Sequence, residues 1–125
     1  MIISESMSEN YRTEISNGAA VVHSDVTEDK GGNGEYFGPH DLLCAGLASC
    51  LNITARMVLD RMSVVYEKVI VKVDLDRTDE ARTGFLYDVD IIGDVPEEVK
   101  QKVINLLSKC PVHKTLAKET YFAKL

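Results

Sequence analysis

The order of elements along the chain predicts an α+β fold, a mostly antiparallel sheet with helices packed on one face. Three observations carry that reading. An Asn-Gly pair separates two short strand-like segments near the N-terminus. One long, apolar helical run follows from Pro39. After it come two cleanly alternating segments and then a second helical stripe. At 125 residues the chain reads as a single domain, 1–125, with no repeat and no low-complexity tract.

Tyr11 to Ile15 and Ala19 to Ser24 read as strands. Ser16-Asn17-Gly18 joins them, because Asn and Gly tolerate the positive φ of a tight hairpin. Asp25 to Gly34 is polar and glycine-rich and reads as a loop with freedom to move. The helix starts at Pro39, which fits a first helical turn, and Asp41 complements the positive end of the helix dipole. It should run to about Met62. Leu42 to Leu51 is apolar or small all round, the pattern of a helix buried on nearly every side. Farther on, Leu51, Thr54, Met57, Val58 and Met62 should face inward, and Asn52, Arg56 and Asp60 outward.

From Lys68 to Arg77, Val69, Val71, Val73 and Leu75 alternate with Lys68, Lys72, Asp74 and Asp76, Ile70 being the exception. Phe85, Tyr87, Val89 and Ile91 repeat the pattern, so the two segments should form a half-buried antiparallel pair. Asp94 and Glu97 have the spacing of a capping box for a second helix. Val99, Val103, Leu106, Leu107 and Cys110 form its stripe. Pro111 ends that helix and opens a short one to about Lys118, and Thr120 to Leu125 reads as a last strand. The all-round apolar helix needs more cover than one small sheet provides, so a partner subunit is expected over it.

The formal net charge is −6 and the basic residues are scattered, which excludes a phosphate-binding stripe for nucleic acid. No charge-free apolar run approaches ~18 residues, so no membrane span is expected. Met1-Ile2-Ile3-Ser4-Glu5 has neither the basic nor the apolar stretch of a signal peptide, so a reducing cytosol is the expected location. Three cysteines there point to a free-thiol, redox or metal role and not to a disulfide framework.

Cys50 lies mid-helix among Gly46, Leu47, Ile53 and Thr54. It is either a small hydrophobe in a tight core or a nucleophile. Cys110 precedes Pro111 and should occupy the N-cap of the short helix, where unpaired N–H groups favour a thiolate. Its other reading is a core cysteine closing the stripe. Cys44, six residues before Cys50, lies ~120° away around the helix and reads as packing. His113 and Cys110 make one Cys-x-x-His with no matching second half, so a zinc site is disfavoured. His23, in a strand, reads as exposed or structural.

The segments Gly38-Pro39-His40-Asp41-Leu42-Leu43 leading to Ser49-Cys50, and Cys110-Pro111-Val112-His113-Lys114-Thr115-Leu116, resemble the OsmC/Ohr family of cysteine-dependent hydroperoxide reductases. The likeness extends from the Asn17-Gly18 hairpin to Leu116. It implies an OsmC-like fold with a long central helix and C-terminal helices in an intertwined homodimer. It also implies a peroxidatic Cys50, a resolving Cys110, organic hydroperoxide substrates, an external dithiol reductant and no cofactor or metal. Leu47 and Ile53 would suit an alkyl tail. The better-characterised peroxidases carry a glutamate just after the proline and an arginine that pairs with the thiolate. Here His40 and Asp41 follow Pro39, and Arg12 is a candidate arginine by its place in the N-terminal strand pair. The Gly-Pro-His-Asp-Leu-Leu form looks more like the OsmC-like branch. There the competing reading is a catalytically weak dimer that binds a small apolar ligand or senses redox state.

Overall fold

The computed structural model describes residues 1–125. Its contacts divide the chain into two compact units, Met1–Leu43 and Cys44–Leu125.

The first unit is a three-stranded antiparallel sheet in the order β1 (Ile3–Ser6), β2 (Thr13–Ser16), β3 (Val21–Ser24). The predicted hairpin joins β2 to β3. Asn17 Oδ1 accepts the N–H groups of Ala19 and Ala20 at 2.9 and 2.8 Å, and Gly18 takes φ 90°. That conformation is open to glycine and costly for residues with a Cβ. β1 went unpredicted: four residues exposed along their whole length give no alternation to read. Arg12 lies one residue before β2 rather than within it.

The segment after β3 is built on Asp25, a buried residue. Its carboxylate accepts the N–H of Val26 at 2.7 Å and of Asn33 at 3.0 Å. A 3-10 turn, Glu28–Lys30, lies within this loop. Gly32 is needed there for space, since a Cβ would collide with the Val26 carbonyl and the Asp25 carboxylate.

Helix α1 runs Pro39–Arg61, close to the expected bounds. Gly38 accepts its first hydrogen bond, from Leu42 N, and Asp41 Oδ2 accepts the Gly38 N–H at 2.8 Å. This is the third-residue half of a capping box. By length and composition α1 could cross a bilayer, with mean hydropathy 1.7 over its most apolar stretch. The sequence expectation missed this by counting only charge-free runs. In this fold, however, α1 supplies a core.

That core belongs to the second unit. Leu47, Leu51, Ala55 and Leu59 form one fully buried row at four-residue spacing. They pack with Val69, Val89, Ile91, Val95, Val103, Leu107 and Cys110. Each fully buried leucine contributes about 1.5–3 kcal/mol. The predicted inward face was rotated: Met57 is exposed, while Asn52 donates to the Val69 carbonyl at 2.9 Å. Nor is the first half of α1 buried all round, since Leu43 is 50% exposed and Gly46 is open.

β4 (Lys68–Asp76) and β5 (Gly84–Ile92) pair antiparallel from Lys68↔Ile92 to Asp76↔Gly84, as expected. α2 spans Glu97–Leu106, and its N-cap is Pro96 without a side-chain bond, so Asp94 does not cap it. Proline at 96 disfavours helical φ/ψ at Val95 and so delays the helix beyond Asp94's reach. A 3-10 turn, Leu107–Lys109, leads to α3, Pro111–Leu116. Thr120 to Leu125 forms no strand; the segment finds no hydrogen-bonded neighbour, and Tyr121, Phe122 and Leu125 are exposed.

Candidate functional site

Cys50 and Cys110 meet in the second unit. Cys50 sits half-buried at mid-α1, on the turn after Leu47. Cys110 is fully buried at the joint between the 3-10 turn and α3, with φ −53° and ψ 132°, as that helix's N-cap. Both thiols are free, and Cys110 lies close enough to act on the Cys50 sulfur. Pro111 has no N–H, so the first backbone donor of α3 is Val112. Val112 N–H is directed at the Cys50 sulfur, and the Thr54 hydroxyl, one turn along α1, reaches the same atom. The start of the short helix, expected to serve Cys110, therefore also serves Cys50.

Burial pushes the Cys50 thiol up from its ordinary value, and the neighbouring Cys110 adds to this. Val112 N–H and the Thr54 hydroxyl pull the other way and do not offset it. The groups acting most on this sulfur are thus uncharged, and at neutral pH it rests as a thiol.

The remaining predicted residues lie elsewhere along the chain. Asp41 is engaged as the α1 cap. His40 is exposed in the first turn of α1. In the first unit, Tyr11 adopts φ 60°, and Arg12 after it is gathered in by Glu9, His23 and Tyr36. Leu47 and Ile53 open on different spaces. Leu47 lines a cavity of about 190 Å³ with Phe85, Tyr87, His113 and Leu116. Ile53 lies in a shallow depression with Asn52, Arg56 and Val71.

The family model described as OsmC-like protein matches residues 32–123. The chain belongs to the OsmC-like family. Solved structures agree on the fold. An OsmC-like protein from Mycoplasma pneumoniae superposes with TM-score 0.74 at 22% identity, covering 93% of this chain and 85% of that one. An organic hydroperoxide resistance protein OsmC from Legionella pneumophila gives 0.66 at 19%, covering 94% and 88%. An organic hydroperoxide resistance protein from Elizabethkingia anophelis gives 0.67 at 19%, covering 93% and 86%. No curated protein sequence matches the chain.

Within this OsmC-like chain, the roles of two groups at the thiol site escaped the sequence reading. Thr54 was legible in principle, as a hydroxyl four residues beyond Cys50 on one helix face. Val112 was not, because it acts through its backbone N–H, which no side chain announces. The site has the means for thiol chemistry: a half-buried cysteine, a second free thiol beside it, and two donors to steady an anion.

Proposed function

We propose that this OsmC-like protein reduces organic hydroperoxides through Cys50 and Cys110. The Cys50 thiolate attacks the terminal oxygen of the hydroperoxide; the O–O bond breaks, the alkoxide takes a proton and leaves as the alcohol, and Cys50 becomes a sulfenic acid. Cys110 sulfur then attacks the sulfenic sulfur, forming the disulfide and releasing water. An external dithiol restores both thiols by exchange and is itself oxidised to a disulfide. The observation that carries this reading is that two free thiols, remote in sequence, are neighbours where α1 meets the start of α3. Family membership supports it, as does the naming of structural neighbours as organic hydroperoxide resistance proteins.

The working form in this reading is a homodimer. Its support is the apolar surface that α1 leaves uncovered at Leu43, Ile53 and Met57. Arg12 and His40 are the candidate thiolate partners in this reading, with Asp41 the candidate acid.

The burial-raised Cys50 thiol favours the second reading, a slow redox sensor or apolar-ligand binder using the Leu47 cavity. Titration of the reduced protein with an organic hydroperoxide separates them. Rapid, stoichiometric loss of two thiol hydrogens by mass spectrometry, mapped to Cys50–Cys110, supports the peroxidase. Thiols that survive excess hydroperoxide support the binder.

A further inference from the structure

Arg12 sits in a network that the thiol chemistry does not explain. Its Nη2 lies 3.1 Å from His23 Nδ1 and 2.9 Å from Tyr36 Oη. Its guanidinium stacks over the Tyr36 ring at 4.5 Å, and Nη1 reaches Glu9 Oε1 at 3.3 Å. Nε is buried with no hydrogen-bond partner. The far nitrogen of His23, Nε2, faces Glu14 Oε2 at 3.5 Å, and the imidazole meets the Tyr36 ring edge-on. These are the groups around His23: Arg12, Glu9 and Glu14 from β2 and the turn before it, and Tyr36 from the stretch ahead of α1. Glu5 on β1 stands opposite Glu14.

A guanidinium has donors only, so Nδ1 of His23 must accept from Arg12. The single proton of the neutral ring is therefore on Nε2, directed at Glu14. A second proton can enter only at Nδ1. It would turn the acceptor into a donor and set two cations face to face. The same proton makes the His23–Glu14 contact a charged pair, so gaining it favours one partner as it expels the other.

We propose that His23 is a proton-operated latch on Arg12, holding the guanidinium when neutral and releasing it when doubly protonated. Its bearing on catalysis rests on the reading of Arg12 as a thiolate partner. The proton comes from solvent, which His23 reaches with a quarter of its side chain exposed.

The test is side-chain NMR of the full-length protein from pH 8 to pH 5, following the Arg12 Nε–H and the His23 ring. The buried Nε–H is the natural probe, because it has no acceptor of its own to move. In the wild type the Arg12 resonance should shift with an inflection shared with His23. In His23→Asn, which keeps an acceptor at the Nδ1 position but takes up no proton, that inflection should be lost. An Arg12 resonance that stays flat while His23 titrates, or an inflection that survives in His23→Asn, overturns the latch. The rate of Cys50 oxidation by an organic hydroperoxide, measured over the same range, reads the coupling separately. A wild-type profile superimposable on that of His23→Asn overturns the coupling. No reaction at any pH removes the peroxidase reading and the coupling with it, while the Arg12 resonances still decide the latch.

Discussion

At the residue scale the proposed chemistry turns on one sulfur and what surrounds it. Cys50→Ser should abolish hydroperoxide consumption. Cys110→Ser should leave a sulfenic acid on Cys50 that a sulfenic-specific reagent captures, with no intramolecular disulfide; both are read by mass spectrometry. Because burial raises the Cys50 thiol, the thiolate fraction is small at neutral pH and grows as pH rises. The oxidation rate should therefore climb from neutral into the alkaline range, and a rate flat across that range would contradict the assignment. Thr54→Val removes one donor to the thiolate. Losing a hydrogen bond worth about 1 kcal/mol to the thiolate should lower the rate at neutral pH about fivefold. The two cysteines could be singled out in the sequence, since each ends or punctuates an apolar pattern. Their neighbours could not, because Val112 acts through its backbone and Arg12 is held by residues up to 24 positions away.

At the element scale, the loop after β3 depends on Asp25. Burial pushes its carboxyl up, but N–H groups of Val26, Asn33, Gly34 and Glu35 outweigh this and hold it below the usual carboxylate range. A carboxyl lowered in the fold stabilises above its unfolded value, near ~3.9, and that contribution fades as pH falls through the lowered value. The amides of 26 and 33–35 should thus lose hydrogen-exchange protection as the pH drops below about 4. Gly32→Ala should loosen the same amides at neutral pH, because its Cβ has no room beside the Val26 carbonyl. Amides unchanged in the variant would show that the loop is not built this way. The sequence marked this stretch as a loop from its glycines. It could not reveal that one aspartate organises it, because the partners are backbone groups. Where side-chain period dominates, as in β4 and β5, the reading held to within a residue or so. Where a single proline intervenes, as at Pro96, the capping pattern misled.

At the scale of the whole molecule the governing fact is α1, whose apolar surface exceeds what its own chain covers. The sequence already carried this, since Leu42 to Leu51 has no polar face to turn to water beyond Ser49. What it could not carry was the rotation of the helix, because an all-round apolar pattern has no phase. The structure sets that phase: the row Leu47, Leu51, Ala55, Leu59 is sealed, while Ile53 and Met57 are 43% and 53% exposed. Exposed apolar surface grouped along one helix marks an interaction face. Family membership makes a second copy the partner to test. Met57→Asp leaves the sealed row untouched and puts a charge where the second copy would pack. Sedimentation should find the wild type as a dimer and Met57→Asp as a monomer or a much weaker dimer, with helix content by circular dichroism largely kept. A wild-type chain that sediments as a monomer at micromolar concentration would remove the second copy. The apolar face of α1 would then have to be covered by something else.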